Sequence, residues 1–187
     1  LVTFGRRAGL YASKAASAMD TWEEIEEDEI QNGIDHMMAP LNREGGENPA
    51  AIVHDLREMM QEKVGIIRTR EQLVEALDDL EALRVRSQSC SPGGGVIYNP
   101  GWHQALELEA MIDVSQMCAL AALEREESRG GHTRDDFPTP DHDSWGKVNS
   151  VITKDSDGNM KIEHRSYPPI PDELKQLLDS DDLDGDS

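Results

Sequence analysis

The sequence predicts a mainly α-helical protein: an antiparallel three-helix bundle followed by a small C-terminal β-hairpin and an extended tail. Three observations carry this. Apolar residues recur at helical spacing in three separate stretches. Glycine- and proline-containing segments punctuate those stretches. After Pro138 the period shifts toward alternation, around a turn-forming cluster.

The first bundle helix is expected over residues 49–64. Asn48 can cap it, Pro49 suits its first position, and Ile52, Val53, Leu56, Met59, Met60 and Val64 follow its period, with Gly65 closing it. The second, residues 70–84, opens on a Thr69/Gln72 capping box and carries Leu73, Leu77, Leu80 and Leu83. "SQSCSPGGGVIYNPG" reads as a flexible connector. The third and longest helix runs over residues 101–127, about 40 Å at 1.5 Å per residue. Leu56, Leu77, Leu80, Ile112 and Leu120 are the expected core, with the methionines as filler. Beyond it, "KVNSVITKDSDGNMKIEHRSY" reads as two strands about a turn at Asp155–Asn159, and "YPPIPDELKQLL" as an extended stretch with one short helix. The closing "DSDDLDGDS" is an acidic segment expected to be disordered.

Before the bundle, residues 5–19 are rich in Gly and Ala, which suits a helix pressed against a larger partner. Residues 21–47 hold an acidic cluster and read as a linker or solvated face. The sequence opens in mid-pattern at Leu1, so a piece of a longer polypeptide is expected.

Charge excludes some functions. With 38 acidic against 18 basic residues, the net charge of -20 opposes nucleic acid and anionic lipid. The longest apolar run, Met117 to Leu123, is too short for direct membrane insertion. Cys90 and Cys118 form no CxxC pair; Cys118 is expected to be a buried thiol, and a reducing, cytoplasmic setting fits. His132, Asp135, Asp136, Asp141, His142 and Asp143 are the residue types of a zinc or manganese site, but they are loop-borne and sparse, so surface polarity is the expectation. Asp155, Asp157 and Asn159 suggest a calcium loop, but Gly158 stands in the wrong place and no helix precedes it. There is no GxSxG, Walker loop or GxGxxG.

"EREESRGGHTRDDFP" ends the third helix in an unusual polar corner. Its "ESRGGHTRDDFP" resembles the C-terminal segment of the flavoprotein subunit of succinate dehydrogenase and fumarate reductase. "LVTFGRRAG", "ENPAAIVHDLREMMQEKVGIIRTREQLVEAL", "ALELEAMIDVSQMCALAALEREESRGGH" and "DHDSWGKVNSVIT" resemble further parts of that family in the same order, from Leu1 to about Pro171. The insert "QSCSPGGGVIYNP" and the acidic tail lie outside the likeness.

The resemblance implies that residues 1–20 are the last helix of an upstream FAD-binding α/β domain. It assigns 21–47 to an acidic linker, 48–132 to the helical bundle domain, 133–178 to a C-terminal extension and 179–187 to the disordered tail. FAD would be bound in the intact subunit by residues outside this chain. Iron–sulfur clusters and, as a further candidate, haem would sit in partner subunits. The implied partners are an iron–sulfur subunit, membrane anchor subunits and succinate or fumarate, at the cytoplasmic face of the cell membrane. No catalytic, cofactor-binding or metal-ligating position carries over to this chain.

Two readings of the corner are open. Arg129 and Arg134, with Glu127 and His132, could tie the bundle end to acidic groups of the flavin domain and orient its active-site loops. Alternatively the corner is a satisfied helix C-terminus with Gly130 as its left-handed cap, which is the favoured reading. L-Aspartate oxidase and adenylylsulfate reductase share the superfamily, and a non-enzymatic helical interaction module is the reading from another class. The Trp145 segment and hairpin favour the first family, because aspartate oxidases usually end soon after the motif.

Overall fold

The computed structural model describes residues 1–21 and 24–179, with side chains placed through residue 176. The expected acidic tail falls outside the described residues except for Asp179, where the last helix ends. The chain divides into two compact units, the first Leu1–Ala39 and the second starting at Pro40.

The first unit holds α1 (Val2–Ser17) and α2 (Glu27–Met38). The second of these lies within the stretch expected as an acidic linker. Glu27, Asp28 and Glu29 fill its first turn, where carboxylates meet the positive end of the helix dipole. Ile30 and Ile34 then follow at helical spacing, so the acidic cluster starts a helix rather than preventing one. Neither helix buries a residue: Phe4, Leu10, Tyr11, Ile30 and Ile34 are exposed.

The second unit is built on α3 (Pro49–Lys63), α4 (Arg70–Gln88) and α5 (Pro100–Glu124), each packed on the other two. The caps of α3 and α4 are those expected. Asn48 accepts from the Ala50 amide, and Pro49 stands at the start of α3. Thr69 and Gln72 form a reciprocal capping box on α4. Asn99 caps α5 through the Trp102 amide. The core holds Ile52, Val53, Leu56, Leu73, Ala76, Leu80, Leu83, Leu108, Ile112, Ala119 and Ala122.

Three expectations change here. Leu77 and Leu120 are half-buried rather than central: Leu77 packs against the edge of the core, and Leu120 lines a cleft beside the hairpin with Ile152 and Met160. Cys118 is exposed, while Cys90 is the buried thiol. The run Met117–Leu123 is apolar all round, so the run alone does not say which face turns inward. Packing chose Ala119 and Ala122, whose small side chains allow close helix approach, and that phase turns Cys118 outward.

Cys90 is buried because the start of the connector is anchored. Arg43 donates to the Cys90 carbonyl at 2.8 Å, the Ser91 amide donates to the Glu47 carbonyl, and Arg86 holds both Glu47 and Asp55. Gly46, at φ 120°, lets residues 43–47 lie directly against Ser89–Ser91; a Cβ there would collide with the Ser89 carbonyl.

Two small pairings complete the unit. β1 (Ile67–Arg68), in the α3–α4 join, runs parallel to β2 (Thr133–Arg134), which follows α5. A single 3-10 turn (Trp145–Lys147) leads into β3 (Val148–Lys154), which pairs antiparallel with β4 (Met160–Ser166) in the register Ile152↔Ile162. Asp155 closes that turn by accepting from the Asp157 and Asn159 amides, so its carboxylate serves its own loop. The short α6 (Asp172–Asp179) follows.

Leu80→Ala should destabilise the chain by about 2–5 kcal/mol, as expected for a fully buried leucine. Leu77→Ala should cost clearly less, because that side chain already meets water. Urea denaturation of the two variants checks the order; equal losses would contradict the helical phase of α4.

Candidate functional site

The polar corner begins where α5 ends. The helix stops at Glu124, three residues before the boundary expected from the sequence, and Arg125 is already extended. In extended backbone, alternate side chains point the same way. Arg125, Glu127 and Arg129 therefore share one side, and Arg134 and Asp136 share another. This two-residue spacing of opposite charges organises the corner.

Glu127 is fully buried and is the hub of the first cluster. Its Oε1 accepts from Arg125 Nε at 2.8 Å and Arg129 Nε at 3.0 Å. Its Oε2 accepts from Arg129 Nη2 at 3.0 Å and from the Asp141 amide at 2.7 Å. Burial pushes the Glu127 carboxyl up, but Arg129, the Asp141 amide and Arg125 together overcome it and hold the pKa at about 2. Both arginines reach onward. Arg129 donates to the Asp141 carbonyl at 3.1 Å; Arg125 donates to the Trp145 carbonyl at 2.8 Å and lies over the Trp145 ring. One carboxylate thus fixes residues 141–146, the segment that leads into the hairpin.

Arg134 is the hub of the second cluster and is also fully buried. Its Nη1 donates to the carbonyls of Ala122 and Leu123 at 2.9 and 3.0 Å, groups left without partners at the end of α5. Its Nε and Nη2 form a bidentate pair with Asp136 at 2.8 and 2.7 Å. Asp136 in turn accepts from the Arg70 amide in the first turn of α4. Arg134 chiefly, then that amide, hold the Asp136 carboxyl at about 2. Ser128 stitches the loop, accepting from the Arg134 amide and donating to the Phe137 carbonyl.

His132 points back at the helix end, its Nε2–H donating to the Arg125 carbonyl at 2.9 Å. Burial first, and then the charges of Arg68, Arg134 and Arg125, push its pKa down, so the ring stays neutral near pH 7. Arg129 and His132 exchange backbone hydrogen bonds across a two-residue turn, with Gly130 at φ 58°. Gly130 is therefore the left-handed residue of a tight turn and not the cap of α5, which ended six residues earlier.

Arg129, Arg134, Glu127 and His132 do come together in one corner, with partners from their own chain. The residue types considered for a metal do not converge. Asp141 accepts from the Asp143 and Ser144 amides, Asp143 meets Lys147, Asp136 is taken by Arg134 and His132 by a carbonyl. Among the described residues no three His, Cys, Asp or Glu side chains form such a group. Arg125 and Asp136 carry much of the corner and were not singled out from the sequence for those roles; the alternation R-x-E-x-R and R-x-D was the available signal. Glu127, Arg134 and Asp136 each have charged partners, and Arg125 and Arg129 share one carboxylate, so the arrangement holds backbone in place.

Glu127→Gln should cost about 3 kcal/mol, because two guanidinium groups lose their shared carboxylate. The pH dependence has a definite sign. With its pKa held at about 2, Glu127 contributes stability that is complete above the ordinary carboxylate range near 4.5 and is lost as pH falls toward 2. Thermal unfolding between pH 6 and 3 should show this loss in the native chain and much less of it in Glu127→Gln.

The chain matches the family model described as fumarate reductase flavoprotein C-term over residues 53–175. It is 29% identical to the succinate dehydrogenase flavoprotein subunit of Coxiella burnetii over 171 residues, covering 91% of this chain and 28% of that protein. It is 36% identical to the fumarate reductase flavoprotein subunit of Helicobacter pylori over 117 residues, covering 62% of this chain and 16% of that protein. Mycobacterium smegmatis Sdh1, solved in complex with UQ1, superposes with a TM-score of 0.85 at 34% identity over 96% of this chain and 30% of that one. The adenylylsulfate reductase of Archaeoglobus fulgidus shares the fold, with a TM-score of 0.75 at 19% identity, 88% of this chain and 28% of that one. The chain thus spans less than a third of the length of these relatives. From the first bundle helix through the hairpin to the final helix, it belongs to the family of fumarate reductase flavoprotein C-terminal regions.

Proposed function

We propose that the chain is the C-terminal region of a succinate dehydrogenase or fumarate reductase flavoprotein subunit. In the intact subunit, succinate and fumarate are interconverted by hydride transfer involving FAD, and electrons pass to an iron–sulfur subunit and then to quinone. The observation that carries this reading is the family match across residues 53–175, which includes the corner and the hairpin beyond it. The alternative from adenylylsulfate reductase rests on likeness of fold at 19% identity.

The residues of this chain do not themselves fit FAD. Dinucleotide binding needs a strand, a glycine-rich turn and a helix whose first amides meet the pyrophosphate. The glycine run here, Gly93–Gly95, follows no strand, and Asn99 takes up the Gly93 and Gly95 carbonyls. The catalytic, flavin-binding and any metal-binding residues therefore belong, in this proposal, to parts of the subunit outside these residues. The contribution of this chain is a rigid helical body whose corner is locked by Glu127 and Arg134.

The complex would be peripheral at the cytoplasmic face of the cell membrane, held by anchor subunits. No helix among the described residues is long and apolar enough to cross a membrane. A non-enzymatic interaction module remains the contrasting outcome.

Two experiments test the reading. The 187-residue chain supplied with FAD should elute from gel filtration without a flavin band; one flavin per chain would overturn the assignment of chemistry elsewhere. The complete subunit with its iron–sulfur partner should reduce a dye with succinate and not with L-aspartate or with sulfite and AMP. In that enzyme Arg129→Ala should lower stability or assembly and leave the succinate KM close to that of the parent.

A further inference from the structure

Arg68 is the one arginine at the corner without an anion. It lies in β1, half-buried, within the electrostatic reach of Arg134. Its Nη1 donates to the Val64 carbonyl at a long 3.3 Å, and its Nε is buried with no acceptor. No ion pair to it forms among the described residues, and the titratable groups acting on it are Arg134 and Cys118, neither a carboxylate. Asp136 is held by Arg134 and the Arg70 amide and makes no ion pair with Arg68. A guanidinium partly removed from water, beside a second one, is an unfavourable arrangement unless something supplies negative charge.

The surroundings say what could supply it. Arg68 lines a pocket of about 530 Å³ with Arg57, Met60, Val64, Ile66 and Gly131. Arg57, on α3, is exposed and has no ion pair among the described residues. Ile66, in the pocket wall, is 70% exposed. The pocket is shallow and broadly open, and a small free ligand would keep most of its surface in water there. A side chain presented by a larger body suits it better: the carboxylate reaches the two arginines, and an apolar neighbour covers Ile66.

We infer that this pocket between α3, β1 and the Gly130–Gly131 turn docks an aspartate or glutamate flanked by an apolar residue, carried by a protein segment outside these 187 residues. Nη2 of Arg68, which is neither buried nor hydrogen-bonded, receives the carboxylate, Arg57 adds a second charge at the rim, and Ile66 packs on the neighbouring apolar side chain. The surface carries this local positive charge within a chain of net charge -20, which makes its selectivity for an acidic partner local rather than general.

The test is an NMR titration of the arginine Nε–H signals of the full chain, at constant ionic strength. The probes are blocked acetyl-Leu-Glu-Leu-amide, its glutamine counterpart, and acetate. The glutamate peptide should shift the Arg68 Nε–H signal saturably, and the glutamine peptide should not. Arg57→Gln, on an exposed helix face and so without effect on the fold by circular dichroism, should weaken the interaction about three- to tenfold. Arg68→Gln should abolish it. An absent or non-saturating shift, or equal shifts from both peptides, would overturn the proposal. Acetate binding as tightly as the peptide would overturn the protein-segment assignment in favour of a free acid. Self-association of the chain abolished by Arg68→Gln would assign the pocket to a second copy instead.

Discussion

The buried guanidinium of Arg134 joins two helix ends of opposite polarity. On one side it takes the last carbonyls of α5; on the other it holds Asp136, which takes an amide from the first turn of α4. Backbone groups at helix ends are costly to bury without partners. Here one ion pair satisfies both ends at once, and the β1–β2 pairing lies beside it: the Thr133 and Asp135 amides donate to the Ile66 and Arg68 carbonyls on either side of Arg134. The α3–α4 join, the start of α4 and the end of α5 are thereby one structure rather than three loops.

Glu127 extends the same logic toward the C-terminus. Its carboxylate gathers Arg125, Arg129 and the Asp141 amide, and the two arginines pass the constraint to the Asp141 and Trp145 carbonyls. Gly146 sits close to the Arg129 guanidinium, so the segment before β3 is held where a side chain would crowd it. A region built this way has little to offer chemistry and much to offer geometry. That agrees with the proposed place of the chain in a larger flavoprotein: a rigid body that keeps its shape while a separate domain holds the flavin. The uncompensated Arg68 stands at the surface of this otherwise balanced network.

The bundle was legible because caps and periodicity agree. Asn48–Pro49, Thr69/Gln72 and the Leu73–Leu80 spacing each state a helix start or face locally. The hairpin was legible from its turn cluster. The phase of α5 was not, since Met117–Leu123 is apolar on every face and the choice of Ala119 over Leu120 was made by tertiary packing. The end of α5 was missed for a related reason: Arg125–Arg129 has good helical propensity, but the buried ion pairs require it extended. Within the stretch read as a linker or solvated face, α2 was not foreseen: its acidic first turn and the Ile30/Ile34 spacing were the signals for it. The members of the corner could be named from the motif; which carboxylate served which arginine depended on that change of backbone.

The central claim is that Arg134 makes the α4 start, the α5 end and β1–β2 a single unit. Native-state hydrogen exchange on Arg134→Met tests it directly. The amides of Arg70, Thr133 and Asp135 should lose protection together, while those in the middle of α3, α4 and α5 keep theirs. Unchanged protection at those three amides would contradict the account.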